Sequence, residues 1–170
     1  MLDPQKQLRK AIIDALTDKI NKPIKLDGYR PLRWNEVNIA WGDANQKYAD
    51  QVKIYNNVPD DATTPYVKVY STGYTEIDFN RDLYNLESNI NIEAVSSFQG
   101  GVGGELEVND IVSGIIKIIR KREPNYFDLS ANGFNIYSTV INQVNYLEVD
   151  DRDSTYYKAI IDVSFKLQQN

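Results

Sequence analysis

Tyr157-Lys158-Ala159-Ile160-Ile161-Asp162-Val163-Ser164-Phe165-Lys166-Leu167 is the stretch whose reading decides the fold class. Tyr157, Ala159, Ile161, Val163, Phe165 and Leu167 alternate with Lys158, Ile160, Asp162, Ser164 and Lys166. A strand turns successive side chains to opposite faces, so this pattern predicts a long strand with one face on a core. The other half of that core must come from elements with an apolar stripe of their own. Residues 105–121 supply one. Val108, Ile111, Val112, Ile115, Ile116 and Ile119 recur at helical steps. Glu105, Glu107 and Asp110 stand in the first turns and Lys117, Arg120, Lys121 and Arg122 in the last, as the helix dipole favours. Residues 4–20 supply a second helix, with Leu8, Ala11, Ile12, Ala15 and Leu16 on one side. Asp3 and Pro4 mark its start, and Pro23 lies soon after its end.

Further strands fill the space between. Tyr66-Val67-Lys68-Val69-Tyr70 follows a turn-rich stretch from Asn56 to Pro65, and Gly73 breaks or bulges it. A polar connection from Tyr74 to Tyr84 is expected next. Residues 87–96 then resume alternation, with Ile90, Ile92 and Ala94 against Asn89, Asn91 and Glu93. Phe134 to Glu148 reads as a strand, and Asp150 to Ser154 as a turn. Gln51 to Tyr55 is a short strand, and residues 21–57 could carry a hairpin projecting from the core. The order helix, strands, helix, strands predicts one α+β domain over residues 1–170. Its sheet is mostly antiparallel, with both helices on one face.

Composition narrows the function. The 170 residues include no cysteine and no histidine. Disulfides and cysteine nucleophiles are excluded, and the commonest general base and metal ligand is missing. An enzyme is not expected. The net charge is −5, whereas a nucleic-acid binder needs a basic face. The run Arg120-Lys121-Arg122 is explained by its place at a helix C-terminus. No leader and no apolar membrane segment is readable, which predicts assembly in a cytoplasm.

Three chemical motifs fail on inspection. Gly100-Gly101-Val102-Gly103-Gly104 precedes a helix, but Glu105 and Glu107 follow where a phosphate loop needs Lys and Ser or Thr. Asp150, Asp151 and Asp153 offer oxygen ligands without the spacing of a calcium loop. Glu76 with Asp78, and Asp60 with Asp61, are carboxylate pairs that any acidic surface shows. No cofactor and no metal is expected. The twelve tyrosines point instead to contact surfaces, notably Tyr74, Tyr84, Tyr126 and Tyr156 in turn-like segments.

The order and local texture of these elements resemble a known family. The features are the helix through Ala11-Ile12-Ile13-Asp14-Ala15-Leu16, the Val58-Pro59 turn, the strand start Pro65-Tyr66-Val67-Lys68-Val69, the helix Val108 to Arg120 and the closing strand Tyr157 to Leu167. Together they resemble the tail-terminator, or tail-completion, proteins of long-tailed phages and their head–tail neck relatives. The likeness covers most of the chain and departs from it at residues 21–57 and 122–135. It implies a homo-oligomeric ring, commonly sixfold, that caps the tail tube or joins it to the head. It implies tail-tube, portal or adaptor proteins as neighbours, DNA passing without specific binding, and a place in the virion. No membrane partner and no catalytic residue is implied. A small α+β ligand-binding or regulatory module is the alternative. Two segments are candidate interfaces: Phe79, Arg81 and Tyr84 in the polar connection, and Phe98 with Gly100, Gly101, Gly103 and Gly104 in the glycine loop.

Overall fold

The computed structural model describes residues 4–20, 52–79, 84–98, 104–120, 129–151 and 153–169. Helix α1 spans Pro4–Ile20 and α2 spans Glu105–Ile119. The strands are β1 (Lys53–Tyr55), β2 (Tyr66–Phe79), β3 (Tyr84–Phe98), β4 (Phe134–Asp151) and β5 (Ser154–Gln169). They form one five-stranded sheet in the order β1-β2-β3-β5-β4. It is antiparallel except at one edge, where β1 runs parallel to Tyr66–Lys68 of β2. The architecture is therefore α+β, with both helices on one face of the sheet.

The deciding alternation holds in three dimensions. Ala159, Ile161, Val163, Phe165 and Leu167 are all fully buried. Their cross-strand partners on β3 are Ala94, Ile92, Ile90, Ser88 and Leu86, which are buried too. Val67 and Val69 of β2 extend the same face. Onto it pack Leu8, Ala11, Ile12 and Leu16 of α1 and the stripe of α2. Each fully buried Val or Ile here contributes on the order of 1.5–3 kcal/mol by removal from water.

Two details go beyond the sequence pattern. Ile118 is fully buried while Ile116 is only partly so. The reason is that α2 touches α1 as well as β3 and β5, so its buried arc is wider than a stripe that meets a sheet alone. The helix also ends at Ile119, because Arg120 turns extended while its N–H reaches the Ile116 carbonyl at 3.0 Å. Inside the core, the Gln5 amide nitrogen lies 3.1 Å from the Ser88 hydroxyl. The pair lets two buried polar groups satisfy each other.

The segment from Tyr74 onward corrects the reading of a polar connection. β2 runs through Gly73 to Phe79 and stays paired with β3, with bulges between Ser71 and Gly73 and between Glu76 and Asp78. Gly73 has φ 151°, so it takes up an extra residue in the ladder rather than ending the strand. Tyr74, Tyr84 and Tyr156 accordingly stand on strands, not turns. Of the proposed hairpin at 21–57, residues 21–51 lie outside the described residues. The short strand expected at 51–55 is β1. Tyr126, Lys121 and Arg122 also lie outside them.

Candidate assembly surface

Strand β3 carries one proposed interface patch at each of its ends. Phe79 and Tyr84 are the terminal pair of the β2–β3 ladder, beside Gln169 of β5. Phe98 is the last residue of β3, beside Thr155. Fifteen residues of extended strand separate Tyr84 from Phe98. At about 3.3 Å per residue they stand roughly 45 Å apart. The two patches are thus at opposite ends of the molecule's sheet. Arg81, Gly100, Gly101 and Gly103 lie outside the described residues.

Phe98 and Gly104, by contrast, meet. The Phe98 side chain is 48% exposed, and the other side of its ring covers Gly104. A Cβ on Gly104 would sit 3.2 Å from Phe98 Cδ2. Gly104 has φ 93° and ψ −152°, a conformation open in practice only to glycine. Its N–H donates to Ser96 Oγ at 3.1 Å, and its carbonyl accepts the first helical bond from Val108 at 3.2 Å. This glycine therefore fixes the start of α2 against the end of β3. Gly104→Ala should cost about 1–3 kcal/mol through backbone strain alone. Urea unfolding of the variant measures it, and an unchanged midpoint would show that the junction tolerates a side chain.

The face of the sheet away from the helices carries a band of hydrogen-bonded polar side chains. Ser164 donates to Asn89 Oδ1 at 2.6 Å, and Asn142 donates to Ser164 Oγ at 2.7 Å. The Tyr137 hydroxyl donates to Asn85 Oδ1 at 2.7 Å. These bonds run across β3, β5 and β4 and leave the face wet. Lys158 and Glu93 lie 3.6 Å apart on it as a partly buried ion pair. At the end where β2 starts, the Val58–Thr64 loop and the β4–β5 hairpin flank an open groove of about 750 Å³. Tyr66, Tyr156 and Lys158 line its floor, and Asp60, Asp150 and Asp151 its rim. Burial, and after it the Glu93 carboxylate, raises the Tyr66 phenol above its ordinary value, so it remains a neutral hydroxyl. Asp150 accepts a hydrogen bond from Thr155 Oγ1 at 3.0 Å, across the hairpin. Among the described residues, no three His, Cys, Asp or Glu side chains are placed to hold a metal. No described helix is long and apolar enough to cross a membrane.

The surface that the sequence reading missed is β4. Tyr137, Val140, Tyr146, Leu147 and Val149 are each between 43% and 53% exposed, and all belong to this one strand. By their register with β5, Val140, Leu147 and Val149 stand on the face away from the helices, as does Tyr137, which reaches Asn85, while Tyr146 stands opposite Ala159 on the helix face at the sheet edge. The signal was present. Val140-Ile141 and Tyr146-Leu147 are adjacent apolar pairs, which put one apolar residue on each face where a half-buried strand would alternate. The chain matches no family model and no curated protein.

Proposed function

We propose that this chain is a structural, non-enzymatic subunit of a phage particle, forming a ring at the head–tail junction or the tail end. The observation that carries the proposal is the row of half-exposed apolar side chains on β4. Five large, half-exposed apolar side chains gathered on one edge strand are what a contact with another protein would cover. The element order fits the tail-terminator and neck proteins that the sequence resembles. Tail-tube, portal or adaptor proteins are then the neighbours above and below the ring. The charge of −5 suits a ring that DNA slides through without being gripped. In this reading the subunit is made in the bacterial host cytoplasm and ends in the virion.

The test is mass in solution together with the protein content of purified particles. A discrete oligomer, and the chain's presence in the neck or tail fraction, support the proposal. A monomer at every concentration, together with absence from particles, overturns it. The groove floored by Tyr66, Tyr156 and Lys158 favours the other reading, a small α+β ligand-binding or regulatory module. That reading expects a monomer or dimer whose melting temperature rises with a small molecule rather than with its own concentration.

A further inference from the structure

The strand β4 is 18 residues long and forms one edge of the sheet. At about 3.3 Å per residue it presents an edge of roughly 60 Å. Edge strands left open are ordinarily short, or carry charge or proline to stop another strand from pairing. Phe134 to Leu147 contains no charged residue and no proline. Its only blunting devices are two bulges, between Ile136 and Ser138 and between Ile141 and Gln143. The opposite edge is open as well. β1 covers β2 only from Tyr66 to Lys68. From Val69 to Phe79 no strand lies on that side among the described residues, and Tyr74 and Ile77 there are 39% and 49% exposed.

Directions and charges say what fits β4. β2, β3, β5 and β4 are each antiparallel to the next, so β2 and β4 run in opposite senses. Two copies set side by side in the same orientation therefore bring β4 of one antiparallel to β2 of the other. β4 ends in Glu148, Asp150 and Asp151 and has no basic residue. On the far edge, at the same end of the sheet, stands the exposed Lys53 of β1, while Lys68 of β2 lies behind β1 with its ammonium over the Tyr70 ring. At the other end of that edge, Glu76 would meet the uncharged first part of β4. A β4–β4 pair around a two-fold axis would instead set each acidic end against the uncharged start of the other strand and give Glu148, Asp150 and Asp151 no cation to meet.

We infer that β4 pairs with the β1–β2 edge of a second copy of this chain, so that the sheet continues from subunit to subunit. This inference rests on the assembly reading above and specifies its contact. The contact is heterologous, and repeating it yields a closed ring when the rotation closes.

Two double variants test it. Val140→Lys with Leu147→Lys spoils β4, and Tyr74→Lys with Ile77→Lys spoils the β2 edge. All four side chains are exposed, so each variant should melt within about 5 °C of the wild type. Each alone should raise the dissociation constant of assembly by roughly 100-fold or more, because lysine blunts an edge against strand addition and the apolar side chains that would pack across the pair are lost. Mixed together, they should form a two-chain complex and stop there, since each contributes one intact edge. Native mass spectrometry reads all three samples. A β4 variant that assembles like the wild type overturns the inference and leaves the assembly reading standing. So does a mixture that stays monomeric, or a β2-edge variant that forms a stable dimer, the mark of β4–β4 pairing. A wild-type chain that remains monomeric at millimolar concentration overturns this self-pairing, and its absence from purified particles as well overturns the assembly reading itself.

Discussion

Val163→Asp yields a chain that does not fold. Val163 is fully buried in the middle of β5, between Ile90 of β3 and Ile141 of β4. Removing its apolar surface from the core forfeits about 1.5–3 kcal/mol. The new carboxylate would then stand among Ile161, Phe165 and the α2 stripe, with no cation or donor near it. An unpaired buried charge costs several kcal/mol more. The sum is comparable to the whole stability of a domain this size, about 5–15 kcal/mol. Soluble expression and far-UV circular dichroism check the result. Lys166→Asp, three residues along on the exposed face, should change stability by no more than about 0.5 kcal/mol. A Val163→Asp protein that is soluble and melts normally would mean that the register of β5 is wrong.

Phe134→Ala should lose about 3–5 kcal/mol, the usual cost of emptying a buried aromatic site. Phe134 is 1% exposed and opens β4. A single 3₁₀ turn, Ser130–Asn132, leads into it, and Gly133 takes a left-handed conformation at φ 83° to redirect the chain. The Phe134 N–H then donates to the Leu129 carbonyl at 3.2 Å. Leu129 is buried as well, so side chain and backbone together pin the base of the edge strand. Guanidinium unfolding measures the loss. Phe134→Leu, which keeps most of the apolar volume, should recover more than half of it. Equal midpoints for Phe134→Ala and the wild type would show that this ring does not anchor β4.

The sequence was legible wherever one face of an element is buried and the other is wet. β5 has neighbours on both sides and helices on one face, so its polarity alternates residue by residue. α2 reads as clearly, because isoleucine and valine recur on the side that meets the sheet. Legibility fails where burial is absent. The lower half of β2, Tyr74 to Phe79, is strand by its pairing to β3, yet residues 74–77 are all exposed, so burial imposes no alternation on them. β4 fails for the related reason that both of its faces carry apolar residues in its outer half. The spatial grouping of the candidate interface residues was legible only in part. Phe98 and Gly104 are adjacent, as a glycine-rich loop beside an aromatic suggests. Phe79 and Tyr84 share an end of the sheet with each other and not with Phe98. Chain order alone could not reveal this, because β3 carries its two termini to opposite ends of the fold.

Between β3 and β4 in the sheet lies β5, the strand made after all the others. Until it emerges, α2 and β3 have only half of their core, and β4 has no ladder to join. Pairs such as Asn85 and Gln168, 83 positions apart, form late. Contacts this distant fold slowly. During synthesis, then, the chain should remain protease-sensitive and chaperone-bound until β5 is free of the ribosome. A chain truncated before Ser154 would lack both a core and an assembly edge. If the chain assembles as proposed above, incomplete subunits would be kept out without a separate device to reject them.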